Sequence, residues 1–129
     1  MEILLHHDYL IQALLSTEGA SVLELCKTGR CKGWLASTTI QALWQGLKKE
    51  ERNKIKPLLT HLSVVTPTPR DLADALQGND FEEKLALTLS LSCGFDAVVS
   101  TMPEKFSNSE GLVLTADQVQ SKIEGPVDS

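Results

Sequence analysis

The chain has 129 residues, 42% of them apolar and 22% charged, a composition that fits one folded domain with a hydrophobic core and lies far from disordered or membrane chains. With 17 acidic against 12 basic side chains the formal net charge is −5. The overall field therefore repels polyanions and argues against general nucleic-acid binding.

In chain order, short β-branched or apolar runs alternate with longer helical patterns. A strand is expected over residues 3–5, helices over 9–15 and 22–27, a strand over 34–36 and a helix over 39–47. The mixed charges from Lys48 to Lys56 read as a solvated helix face. A helix is expected over 51–62, which Pro57 should bend or divide. A strand follows over 63–66. Thr68-Pro69-Arg70-Asp71 has a capping residue, a proline suited to the first helical position and an acid favoured at the positive helix end, so a helix should open there and run through Leu72 and Leu76. Asp80-Phe81-Glu82-Glu83 and Thr115-Ala116-Asp117-Gln118 both have capping-box form and should open helices to about residues 92 and 123. Strands at 97–100 and 112–114 precede the last helix. Trp34, Leu85, Leu89 and Val98 are expected in the core.

This rhythm predicts a three-layer α/β/α domain around a central, mainly parallel sheet of about five strands. Residues 1–123 are expected to form that single domain and 124–129 a flexible tail. Cys26, Cys31 and Cys93 form no CxxC and no Cys/His cluster of zinc spacing, and an odd number cannot all pair within the chain. They read as small buried hydrophobes in a reducing, cytoplasmic setting. The first residues lack the basic region of a signal peptide, and no run approaches the ~18 apolar residues of a membrane span, so no membrane is expected as partner.

Chemistry-bearing residues cluster near the strand ends. Asp80-Phe81-Glu82-Glu83-Lys84-Leu85 is followed by Gly94-Phe95-Asp96-Ala97-Val98-Val99-Ser100 and then Pro103-Glu104-Lys105-Phe106. This run resembles PIN domains of the VapC toxin kind, in which an acid opens a central helix, Gly-x-Asp enters a buried strand ending in Thr or Ser, and a Phe closes the next turn. Leu112-Val113-Leu114-Thr115 is similar to the family's last strand and final helix start. Leu4-Leu5-His6-His7-Asp8-Tyr9-Leu10 and Ser37 through Leu47 are similar to its two N-terminal strand-to-helix junctions. The likeness spans nearly the whole chain.

The resemblance implies a metal-dependent ribonuclease site and places its first acid on His6, its Glu on Ala42, its third acid on Glu83 and its fourth on Asp96. A further Asp or Asn falls on Met102. Only one of the four is kept in identity. Hard cations need several oxygen ligands, so the expected function is a degenerate PIN-like module without nuclease activity, serving in binding or regulation. A homodimer or another protein is its implied partner, with RNA left open, and no cofactor is expected. The alternative is a metal-dependent ribonuclease of VapC type with an altered site. There Asp96, Glu83 and Asp8 would hold Mg²⁺ or Mn²⁺, and His6 would favour Mn²⁺ or a later transition metal.

Each candidate also has a plain structural reading. Glu83 completes a capping box with Asp80, Asp96 can cap or turn, and His6 and His7 can be solvated or singly hydrogen-bonded. Ser100 can line the same cleft, with no spacing that supports a nucleophile. His6, Ser37, Asp96 and Ser100 are expected to converge beyond the carboxyl ends of the strands, with Glu83 and Asp96 in one cleft.

Overall fold

Five short strands frame the computed structural model, which describes residues 1–16, 21–77, 80–106 and 112–124. They are β1 (Glu2–Leu5), β2 (Lys32–Ala36), β3 (Ser63–Val65), β4 (Ala97–Val99) and β5 (Val113–Leu114). All pair in parallel, in the order β3-β2-β1-β4-β5. Seven helices cover the sheet: α1 (His7–Leu15), α2 (Ser21–Lys27), α3 (Ser37–Gly46), α4 (Ile55–Leu59), α5 (Pro69–Ala75), α6 (Phe81–Cys93) and α7 (Ala116–Glu124). The expected three-layer α/β/α architecture is what the chain adopts, and its sheet is wholly parallel.

The inner strands are apolar on both sides because each face carries its own core. In β1, Ile3 and Leu5 enter one apolar cluster with Tyr9, Leu10, Val22 and Leu43, while Leu4 points to the other with Leu85, Leu89 and Phe106. β4 alternates likewise, with Ala97 and Val99 on the first side and Val98 on the second. Leu85 and Leu89 recur one turn apart on α6, which holds that helix on the sheet. Each fully buried aliphatic side chain contributes about 2 kcal/mol by its removal from water.

Local signals are realised where no long-range contact competes. Thr68 and Asp71 exchange the two bonds of a capping box, at 2.9 and 3.1 Å, and Pro69 is the first residue of α5. Thr115 and Gln118 do the same at 2.9 and 3.3 Å at the start of α7. The stretch expected as one helix over 51–62 is divided, with a 3₁₀ segment (Lys49–Lys54) followed by the short α4 that contains Pro57. The Asp80–Glu83 box does not form. Asp80 has φ −112° and ψ 58°, makes no side-chain cap bond, and Glu83 is drawn elsewhere. Glu124, assigned beforehand to the tail, is the last residue of α7, and 125–129 lie outside the described residues. None of the described helices is long and apolar enough to cross a membrane.

The chain leaves β1 for β2 on one side of the sheet and later places β4 on the other. The connections thus diverge at the carboxyl ends of β1 and β4, the position where open parallel sheets form their crevice.

Candidate functional site at the carboxyl edge

His6 is the first residue beyond β1. Its N–H donates to Val99 O at 3.0 Å, extending the ladder, and its φ −76° and ψ 151° make it the N-cap of α1. The strand end thereby points the imidazole into the sheet edge, where the residue is only 4% exposed. Nδ1 lies 3.1 Å from Asp8 Oδ1, and Nε2 lies 3.1 Å from Glu83 Oε2. The Glu83 contact does not have hydrogen-bond geometry, so Nε2 has no hydrogen-bond partner. Asp8 N–H also points at Nδ1, at a longer 3.4 Å. Nδ1 cannot accept that bond while donating to Asp8, and the shorter carboxylate contact governs. Each ring nitrogen thus has a carboxylate oxygen at 3.1 Å. The ring is walled by His7, centroids 4.3 Å apart, and by the edge of Phe106 at 5.1 Å.

Asp8 is tied in from the other side. Ser100, the first residue after β4, donates its hydroxyl to Asp8 Oδ2 at 2.7 Å, and Thr101 N–H donates to Oδ1 at 3.3 Å. Met102 N–H donates in turn to Ser100 Oγ at 3.0 Å. Burial alone would raise the Asp8 pKa. Hydrogen bonds from His6 and Ser100, the charge of His6 and the Thr101 N–H outweigh it and hold the group at about 2. This chain of donors joins the loop after β4 to the first turn of α1.

Two rim groups shift toward their neutral forms. Glu82, next to Glu83 in the first turn of α6, is raised by burial, which outweighs the lowering by His6. His7 is lowered by burial first and by the neighbouring His6 second. Their side chains approach to 4.0 Å, and His7 Nδ1 is buried without a hydrogen-bond partner. Burial thus favours the neutral form of both rim groups while Asp8 is held ionised.

The expected convergence is corrected at Asp96. It precedes β4, and in a parallel sheet that puts it at the amino edge, the opposite end from Ser100. There its Oδ2 accepts from Glu2 N–H at 2.7 Å, and its own N–H donates to Glu2 O at 2.7 Å. It does not share a cleft with Glu83, which faces His6. His6, Asp8, Glu83 and Ser100 are brought together. Ser37 opens α3 directly after β2, on the same edge, and Ala42 lies within α3. A Mg²⁺ or Mn²⁺ site on Asp96, Glu83 and Asp8 does not fit this placement. The remaining acids already face an imidazole, and among the described residues no group of three or more His, Cys, Asp or Glu is disposed to hold a metal ion.

His7 was foreseen as a candidate, but Glu82, Thr101 and Phe106 as walls of the same site were not. Phe106 lay within the recognised run, which was the available signal. No family model matches this chain, and no curated protein matches it.

Proposed function

We propose that the chain is a PIN-like module that binds or regulates and does not cleave RNA. One observation carries this reading: at the position where the resemblance puts the first metal-binding acid, His6 faces Asp8 and Glu83 at 3.1 Å each while almost wholly buried. A buried imidazole there takes the position between the two carboxylates and replaces an oxygen ligand that a hard cation needs. Ala42 offers no carboxylate from α3. The net charge of −5 favours a protein over RNA as partner, a second copy of the chain included.

The test is titration calorimetry with Mn²⁺ and Mg²⁺ beside a metal-supplemented assay on fluorogenic single-stranded RNA. We expect no saturable heat at sub-millimolar metal and no cleavage. Metal-dependent cleavage that disappears in Glu83→Gln would overturn the reading. Light scattering after size exclusion checks the homodimer.

A further inference from the structure

At the amino edge, the turn from α2 into β2 brings two cysteines together. We propose that Cys26 and Cys31 are a reversible dithiol–disulfide pair, oxidised by low-molecular-weight disulfides of the glutathione type. Their Sγ atoms lie 3.4 Å apart, against about 2.05 Å in a disulfide, so a small rotation closes the bond. The turn that presents them is fixed by its backbone. Arg30 N–H and Cys31 N–H both donate to Leu25 O, at 2.9 and 3.3 Å, and Gly29 takes φ +79°, which a side-chain-bearing residue rarely adopts. Across the pair lies Gly33, where a Cβ would come within 2.7 Å of Cys26 Sγ. The bare backbone there makes room for the sulfur.

Sequence spacing alone reads these thiols as buried hydrophobes, and both are mostly covered. Both nevertheless line a solvent-open cleft of about 410 Å³, together with Arg30, Lys32 and His61. Two cations against one carboxylate, Glu2, in that lining favour an anionic oxidant. Burial, and after it the hydrogen bond with Cys31, push the Cys26 thiol up to about 12. The exchange can open at either sulfur, for instance Cys31. Its thiolate displaces one thiolate from the oxidant and forms a mixed disulfide. Cys26, losing its proton to solvent, then attacks the Cys31 sulfur and expels the second thiolate. The two leaving thiolates take up the two protons, and the oxidant gains two electrons.

The experiment equilibrates the native protein, carrying Cys93→Ser to remove the exposed thiol, in graded mixtures of reduced and oxidised glutathione. Acid quench, alkylation and peptide mass analysis follow. We expect the peptide with Cys26 and Cys31 to lose two hydrogens in a single two-electron transition that dithiothreitol reverses. Either single variant, Cys26→Ser or Cys31→Ser, should stop at a mixed disulfide on the remaining thiol. As a check that needs no variant of the pair, phenylarsine oxide should bind the native Cys93→Ser protein one to one and be displaced by dimercaptopropanol. Full alkylation of both thiols across the series, a lasting mixed disulfide on Cys31 in the parent, or absence of arsenical binding each overturns the proposal. None bears on the site at the carboxyl edge, which lies at the other end of the strands.

Discussion

At the amino edge of the sheet, Asp96 is exposed and gives one oxygen to the N–H of Glu2, whose own carboxylate accepts from Trp34 Nε1 at 2.9 Å. At the carboxyl edge, Asp8 and Glu83 turn inward onto a buried imidazole and a serine hydroxyl. The side-chain types are similar, and what differs is burial. An acid in water needs one good partner and tolerates losing it, whereas an acid beside a covered ring depends on the ring for its geometry. The carboxyl edge should therefore be sensitive to substitution and the amino-edge acids should not.

The sharpest way to break this comparison is His6→Leu. It leaves Asp8 and Glu83 facing an apolar group of similar volume, and we expect a loss of about 3 kcal/mol in denaturant melts, the scale of stranding hydrogen-bonding carboxylates without a partner. Adding Glu83→Met should return about 1 kcal/mol, because it removes one of the two stranded charges. If the double variant is no more stable than His6→Leu, Glu83 is not coupled to the ring.

Gly33→Ala probes a place where the amino edge is also intolerant, for a steric reason. The added Cβ would meet Leu62 Cδ2 at 2.6 Å and Cys26 Sγ at 2.7 Å, both inside the core. Overpacking of this kind costs about 2 kcal/mol. A melting temperature equal to the parent's would show that the β2 contact is looser than its geometry implies.

Ser100→Ala removes the donor to Asp8 and the acceptor for Met102 N–H, and should cost about 1.5 kcal/mol at neutral pH. It also tests the linkage. Asp8 is depressed in the folded chain from its ordinary 3.8 to about 2, so its stabilisation is present above pH 3.8 and is lost as pH falls from there through about 2. Asp8→Asn should flatten stability across that window, and Ser100→Ala should move the Asp8 titration upward. Carbon-detected NMR of the carboxyl group reads the shift directly, and an unmoved titration removes Ser100 from the network.

These tests fall where sequence reading succeeded unevenly. The strands and helices were legible because apolar runs, Thr68-Pro69 and Thr115 through Gln118 act locally and meet no competing contact. His6 was expected just past its strand and lies there, and Ser100, expected as the last residue of a strand over 97–100, is the first residue after β4. Asp96 was misplaced because an acid on either side of a short strand looks alike in sequence, while in a parallel sheet the two sides are opposite edges. Glu83 showed a local capping pattern, but its partner is 77 positions earlier, and a contact with a buried ring outweighs a cap to a residue held at ψ 58°. The 3.4 Å approach of Cys26 and Cys31 was hidden for a related reason: it depends on how the turn at Gly29 folds back, and spacing does not encode that.

The smallest effect belongs to Asp96, the residue to which the family resemblance assigned the most. Its carboxylate makes one exposed bond to Glu2 N–H, while the ladder bond from its own N–H to Glu2 O is backbone and survives any side-chain change. Asp96→Ala should therefore cost about 0.5 kcal/mol, the value of an exposed, water-replaceable contact. Because the length of β4 separates it from Ser100, the substitution should leave the Asp8 titration and the His6 ring resonances where they are in the parent. A chemical denaturation curve and a two-dimensional NMR titration of the same sample give both readings. A loss above about 2 kcal/mol, or movement of the Asp8 signal, would mean that the two edges communicate through β4 and that their division into a tolerant and a sensitive end is wrong.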